Sequence, residues 1–204
     1  MTIPPAVRIR GADTSDLEAL VAFGETVVTA HYEPIIGESA ALDVVQTWWT
    51  RQHLGTALAQ DNVFVADNDE GIVGVMEVGR LDGDPVIWKL YIHSAHRGRG
   101  IGATLLHAAV DDLPSTTSQV ILAHFAGNQR AAEFYDREGF AYLCTEPSPS
   151  EDPAAATVWR ALRRDATPDR LAPLGRRNRS TVPDKSRGLH ASLTHRVTST
   201  GSAR

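Results

Sequence analysis

The stretch that decides the fold of this chain is LYIHSAHRGRGIGATLL, which runs from Leu90 to Leu106. It opens with an apolar, strand-like run, passes through a loop with two arginines and alternating glycines, and ends in the apolar pattern of a helix. Glycine allows positive φ and a close approach of a ligand to the main chain, and the N-terminus of a helix attracts anions. The stretch therefore predicts a strand–loop–helix unit that binds the pyrophosphate of a nucleotide-type ligand.

Two other interpretations of this loop compete with that one. The first is a glycine-rich turn without a ligand, which the flanking strand, arginines and helix disfavour. The second is the dinucleotide-binding fingerprint, because Gly98-x-Gly100-x-x-Ala103 fits its pattern. That fingerprint normally follows the first strand of its unit and needs an acidic residue at the end of the next strand. Here the loop comes late in the chain, and the next strand-like run, Gln119–Phe125, ends without a carboxylate.

Two blocks of the sequence resemble the GNAT superfamily of acyl-CoA-dependent N-acetyltransferases. Arg97-x-x-Gly100-x-Gly102 is similar to the family signature Arg/Gln-x-x-Gly-x-Gly/Ala. Residues 127–140 resemble the family segment Asn-x-x-Ala-x-x-Phe-Tyr-x-x-x-Gly-Phe. The resemblance covers roughly Ala6 to Leu162, with one departure at Ser94, where many relatives carry proline.

The resemblance implies that acetyl-CoA is the co-substrate and that no metal takes part. In the family, a bulge splays the fourth strand from the fifth, and the pantetheine arm pairs with main-chain groups in the gap. The expected coenzyme-binding residues are Leu90, Tyr91, Ile92, Arg97, Gly98, Arg99, Gly100, Ile101, Gly102, Ala103 and Asn128. The histidines agree with a metal-free site, because His93, His96, His107 and His124 lack metal-ligand spacing and are predicted at loop or surface positions.

The resemblance also implies catalytic roles. Tyr135 corresponds to the tyrosine that protonates the leaving thiolate, and the Ile92 N–H would polarise the thioester carbonyl. The identity of the general base is left open, because Val86–Trp88 occupy the region where many relatives carry an acidic residue. Glu77 is one candidate, acting through a water chain, since a carboxylate on an apolar strand is expected to have a raised pKa; a solvated position is its alternative. His31 is the second candidate.

Hydrophobic periodicity predicts the element order β-α-α-β-β-β-α-β-α-β-β. This is a mixed α/β fold with a mostly antiparallel central sheet, one parallel strand pair and flanking helices, which agrees with the GNAT arrangement. The first helix is expected to start near Asp13 or Ser15, with Pro34 as an interruption before the second helix at 39–58. Residues 1–163 form the predicted acetyltransferase domain, and 164–204 form a predicted basic, disordered tail.

Charge and composition narrow the partners of the chain. The 204 residues carry a net charge of −5, although residues 163–204 alone carry +7, so the domain is acidic. An acidic domain is not expected to bind nucleic acid and suits a cationic amine. One cysteine, no membrane-length apolar run and no signal-peptide pattern predict a cytoplasmic protein that is not membrane-bound. The sequence leaves open whether the chain forms a homodimer.

The expected function is acetyl transfer from acetyl-CoA to a primary amine of a small molecule, by direct transfer in a ternary complex. One alternative acceptor is a protein N-terminus or lysine. A different class of function, a non-catalytic acyl-CoA sensor, is disfavoured by the complete loop together with Asn128 and Tyr135. The acceptor pocket is expected at His31, Tyr32, Glu33, Trp48 and Trp49.

Overall fold

The structure, a computed structural model, describes residues 6–164; the predicted tail, apart from Arg164, lies outside them. Within this range seven strands form one sheet: β1 (Arg8–Gly11), β2 (Val63–Asn68), β3 (Gly71–Leu81), β4 (Asp84–Ile92), β5 (Gln119–Phe125), β6 (Ala141–Glu146) and β7 (Thr157–Arg163). The α-helices are α1 (Leu17–Phe23), α2 (Thr29–Ile36), α3 (Glu38–Trp48), α4 (Arg51–Leu58), α5 (Ile101–Asp111) and α6 (Gln129–Arg137).

The sheet has the order β1-β2-β3-β4-β5-β7-β6, and only the β4–β5 pair is parallel. The predicted mixed α/β fold and its single parallel pair are therefore confirmed. The parallel contact is short, because only Val86 and Ile87 of β4 pair with β5. Beyond Ile87 the two strands separate.

A β-bulge accompanies this separation. Glu77 pairs with Lys89 and Val78 pairs with Ile87, so Trp88 is an extra residue in β4. A bulge bends its strand and increases the local twist. The bulge expected from the family resemblance is thus confirmed, and it precedes the segment of β4 that has no neighbour on the β5 side.

Helices cover both faces of the sheet, and each face has its own core. The core beneath α1–α4 includes Leu20, Trp49 and Leu54, which are fully or almost fully buried. The core beneath α5 and α6 includes Leu105 and Phe140. The sheet is apolar on both faces, which explains why β3 and β5 have almost continuous apolar sequences.

The helices before β2 differ from the prediction. A π-helical turn at Gly24–Val28 joins α1 to α2, and Pro34 lies within α2 rather than ending it. Gly37, with a φ of 83°, follows the last residue of α2. The predicted 39–58 helix is two helices, because Thr50 leaves the helical conformation and its side chain accepts a hydrogen bond from the His53 N–H (3.2 Å).

No helix among residues 6–164 has both the length and the apolar character that a bilayer span requires.

Candidate active site

A cavity of about 380 Å³ lies where β4 separates from β5, between the end of β4, the following loop and α6. Ten of the eleven predicted coenzyme-binding residues line it: Leu90, Tyr91, Ile92, Arg97, Gly98, Gly100, Ile101, Gly102, Ala103 and Asn128. Tyr135 also lines it. Arg99 is exposed and lies outside the lining residues. Segments that are distant in sequence thus meet at one site.

The glycine loop has the backbone expected of an anion cradle. Gly98 and Gly100 have φ values of 75° and 79°, and Gly100 is the N-cap of α5. A Cβ at either position would meet no atom within 4 Å, so the main chain is open to a ligand. Gly102 is helical instead, and a Cβ there would lie 3.6 Å from the Phe134 ring. The positive φ therefore applies to two of the three glycines.

Three arginines line the cavity, and two of them, Arg97 and Arg130, are close enough for their charges to interact. Arg97 comes from the loop, and its Nε donates a hydrogen bond to the Ile92 carbonyl (2.9 Å). Arg130 projects from the first turn of α6 and was not anticipated from the sequence, although its place two residues after Asn128 was a usable signal. Burial lowers the pKa of Arg97, and the charge of Arg130 lowers it further. An anion is the natural partner for two cations so placed.

The main chain of β4 is directed into the gap at alternate residues. The His93 N–H donates to Val73 of β3 (2.8 Å). Because successive residues of a strand turn their N–H groups to opposite edges, the Ile92 N–H is directed toward the β5 side, whereas that of Tyr91 faces β3. The Arg97 contact to the Ile92 carbonyl lies on the same open edge. Of the three predicted main-chain partners, Leu90 and Ile92 therefore face the gap, and Tyr91 does not.

Tyr135 is held rigidly at the cavity. Its ring stacks on His124 with a centroid distance of 6.0 Å and contacts the rings of Phe134 and Phe140 edge-on. Burial raises the pKa of the phenol well above its ordinary value, so the hydroxyl stays protonated throughout the physiological range.

A buried polar network lies behind Tyr135. Arg160 donates through Nε to His124 Nε2 (3.0 Å) and also contacts Asp136 and the Phe140 carbonyl (3.1 Å). His124 Nδ1 donates to the Phe125 carbonyl (2.9 Å). The prediction of a loop or surface position for His124 is wrong, since the residue is 8% exposed. The alternation Val120, Leu122, His124 along β5 was the signal that could have placed it inside.

Asn128 links the start of α6 to α2. Its Oδ1 accepts from the Ala131 N–H (3.1 Å) and caps the helix. Its Nδ2 lies 3.1 Å from Nε2 of His31, a residue 97 positions away that also lines the cavity. Burial, followed by the charges of Arg97 and Arg130, lowers the pKa of His31 to about 4.

The predicted acceptor-pocket residues do not form one surface. Tyr32 and Trp49 are buried, and the Tyr32 hydroxyl is 2.8 Å from that of Tyr91. Glu33 is exposed, and Trp48 packs edge-on against His53. Only His31 of the predicted set lines the cavity.

Glu77 lies away from the cavity lining, in an ion pair with Lys89 directly across the β3–β4 ladder. His53 Nε2 is 3.3 Å from the other carboxylate oxygen. Burial raises the pKa of Glu77, but His53 and Lys89 outweigh it, and the net shift is downward. The expected raised pKa is therefore wrong, and so is a solvated position, since Glu77 is 5% exposed. Its role as a base through water stays a prediction.

Comparison with known proteins finds similarity to acetyltransferases. Residues 59–142 match the model of a family described as an acetyltransferase (GNAT) domain. N-alpha-acetyltransferase 40 of Saccharomyces cerevisiae is 32% identical over 126 residues, which are 50% of this chain and 44% of the yeast protein. The chain thus spans less than half the length of that relative.

Two solved structures share the fold. PaiA N-acetyltransferase from Thermoplasma acidophilum, in complex with coenzyme A, has a TM-score of 0.67 at 19% identity, covering 78% of this chain and 99% of that one. Ard1 from Thermoplasma volcanium has a TM-score of 0.56 at 18% identity, covering 78% and 97%. At these identities the likeness establishes the fold alone. Residues 59–142 are thus similar to a GNAT acetyltransferase domain, and the described part of the chain shares the fold of solved acetyltransferases.

Proposed function

We propose that the protein is an N-acetyltransferase that moves the acetyl group of acetyl-CoA directly to a primary amine. The observation that carries this proposal is the single cavity that joins a left-handed glycine loop, an unpaired strand edge and a buried tyrosine donor. Each part answers one need of acyl transfer: binding of the donor, polarisation of the carbonyl and protonation of the leaving sulfur.

The residues of the cavity fit coenzyme A. Gly98, Gly100 and the start of α5 would hold the pyrophosphate, with Arg97 and Arg130 balancing its charge. The open edge of β4 and the side chain of Asn128 would pair with the amides of the pantetheine arm. When bound, the coenzyme supplies an acetyl group activated as a thioester.

The chain's own groups would then guide the transfer. The Ile92 N–H would donate to the acetyl carbonyl oxygen as negative charge develops there. Tyr135 would give its proton to the sulfur when the carbon–sulfur bond breaks. The attacking amine must lose a proton when the new C–N bond forms, and Glu77, through a chain of waters, remains the candidate acceptor for that proton.

The acceptor amine has two candidates. A small-molecule amine is the primary expectation from the sequence. The yeast relative's name, N-alpha-acetyltransferase 40, favours a second candidate, the α-amino group of a protein. The cytoplasmic location, the homodimer and the basic tail's role stay predictions alongside these.

Thiol release from acetyl-CoA tests the function directly. The full chain is assayed with a panel of small amines, lysine peptides and peptides with free N-termini. Release with small amines supports the primary proposal, and release only with peptide N-termini supports the second candidate. Tight acetyl-CoA binding without release for any acceptor would indicate a sensor and overturn the proposal.

A further inference from the structure

The orientation of the Asn128 side-chain amide determines which ring nitrogen of His31 carries the proton. A helix N-cap must accept a hydrogen bond from the backbone, and Oδ1 of Asn128 does so from Ala131 at 3.1 Å. The amide nitrogen Nδ2 is therefore the atom directed at His31, 3.1 Å from its Nε2. The capping bond thus fixes the amide in one of its two orientations.

An amide nitrogen can only donate, so Nε2 of His31 must accept. A neutral imidazole with a bare Nε2 carries its proton on Nδ1. The surroundings keep the ring neutral, since burial and the charges of Arg97 and Arg130 lower the pKa of His31 to about 4. The ring therefore has a donor at Nδ1, and its one lone pair is already engaged.

The Nδ1–H group has no protein partner within residues 6–164, and it is not enclosed by protein. The groups around the imidazole are the rings of Tyr32 and Tyr91 (centroids at 5.1 and 6.4 Å), the guanidinium groups of Arg97 and Arg130, and the amide of Asn128. His31 lines the same cavity as Leu90 and Ile92 of the open β4 edge, where the proposed pantetheine arm would lie.

We propose that His31 binds acetyl-CoA as a neutral hydrogen-bond donor, through Nδ1–H to a carbonyl oxygen of the acyl-pantetheine arm, and does not act as the general base. This inference rests on the proposed function for the identity of the ligand. Carbonyl oxygens are the acceptors that the arm offers, and a neutral donor stabilises them without competing with the arginines for phosphate. A base role is excluded by the same geometry, because the ring has no free lone pair.

The tautomer of His31 can be measured without any acetyl transfer. Long-range ¹H–¹⁵N NMR of the full chain distinguishes Nδ1–H from Nε2–H, and we expect Nδ1–H in the wild type. Asn128→Asp is the matched variant, because aspartate still caps the helix but can only accept from His31. The variant should therefore convert the neutral ring to Nε2–H. An Nε2–H tautomer in the wild type would overturn the inference.

Binding of acetyl-CoA gives an independent readout. His31→Ala should weaken it about tenfold, a loss typical of one buried hydrogen bond, and His31→Gln, which keeps a donor, should recover most of the affinity. His107→Gln, at an exposed position of α5, is the control and should bind as the wild type does. Equal affinity of His31→Ala and wild type, with the fold verified by circular dichroism, would refute the inference.

The pH dependence of binding adds a third test. In Asn128→Asp, affinity should be poor at pH 8, where the bare Nδ1 faces the cavity, and improve at pH 6 as the imidazolium regains an Nδ1 proton. Failure of the inference and of the function are separable. If acceptors are acetylated but His31 is Nε2–H, only the inference fails; if the tautomer and affinities hold but nothing is acetylated, only the function fails.

Discussion

The two walls of the cavity present different kinds of groups, main-chain groups on one side and side chains on the other. The wall formed by β4, the glycine loop and α5 presents main-chain groups from one contiguous segment, residues 90–103. The wall formed with α2 presents the side chain of His31, which meets Asn128 across 97 positions, and the buried Tyr32, outside the lining, meets Tyr91 across 59. A backbone-built wall depends on local conformation, whereas a side-chain wall depends on how whole elements pack.

The difference predicts whether a substitution impairs ligand binding or protein stability. A substitution among the main-chain groups should lower ligand affinity and leave the stability of the protein nearly unchanged, because those groups do not depend on contacts with other segments. A substitution among the buried, paired side chains should lower the stability first, because it leaves a polar partner buried. The variants below probe that contrast, starting with the largest effect.

The largest effect is expected away from the cavity lining, at the buried side-chain pair between β3 and β4. Lys89→Met keeps the length of the side chain but leaves Glu77 buried with only His53 beside it. Loss of one member of such a pair costs about 3–5 kcal/mol of unfolding free energy, measured by urea denaturation. Arg51→Met, which removes an exposed pair with Glu18, is the control and should leave the midpoint unchanged. A small change in Lys89→Met would mean that water reaches Glu77.

Tyr135→Phe should affect turnover more than binding. Without the phenolic proton the leaving sulfur is not protonated, and kcat should fall about 100-fold, the lower range for general acid catalysis. The affinity for acetyl-CoA should hardly change, because the ring still packs against His124 and Phe140. Tyr142→Phe, at a site 60% exposed on β6, serves as control. A lowered affinity with normal turnover would remove the acid role.

Acidification should separate wild type from Lys89→Met. In the wild type the folded pKa of Glu77 is lowered, so its stabilisation is present above the unfolded value and is lost as the pH falls through the folded one. In Lys89→Met burial dominates and raises that pKa, so the folded state binds the proton more tightly. Relative to wild type, the variant should therefore regain about 2 kcal/mol between pH 7 and 5.

Glu77→Gln/Lys89→Met is the control for this pH dependence. It has no carboxylate to titrate at position 77, so its stability should follow the pH without that gain. If the double variant shows the same gain as Lys89→Met, another group is responsible, and the explanation through Glu77 fails.

Gly100→Ala should have the smallest of the four effects and act on the backbone wall. Its φ of 79° costs an L-residue about 1 kcal/mol, and the added methyl would stand where a phosphate approaches. We expect about a tenfold loss of acetyl-CoA affinity by calorimetry. Gly83→Ala, with a φ of 93° in the β3–β4 turn, carries similar strain away from the cavity. Equal affinities in the two variants would show that the loop does not contact the ligand.

The sequence predicts the main-chain wall well because that wall comes from one contiguous segment. Glycines, arginines and helix start lie in one segment, so Gly98 and Gly100 could be read without tertiary information. The bounds of β5 and the cap at Asn128 were equally local signals. The parallel pair followed from the predicted element order, whereas the bulge came from the family resemblance.

The contacts between distant segments needed information that a single segment does not carry. The Glu77–Lys89 pair depends on a register that the bulge at Trp88 sets. The π-helical turn at Gly24 accompanies close packing against Trp49, where even a Cβ would come within 2.6 Å. Pro34 was expected to interrupt the helical run, yet α2 continues past it to Ile36.

The extra residue at position 88 has a consequence for how this region can change over time. Trp88 stands unpaired while Val78 opposes Ile87 and Glu77 opposes Lys89, so Ile87 and Lys89 lie on opposite faces although they are two positions apart. Deleting Trp88 would leave both pairs in register and remove the bulge, and with it the bend that accompanies the separation of β4 from β5. Substitutions can therefore accumulate at position 88, whereas its deletion would narrow the gap and be purged, and the length of this segment should vary less than its composition.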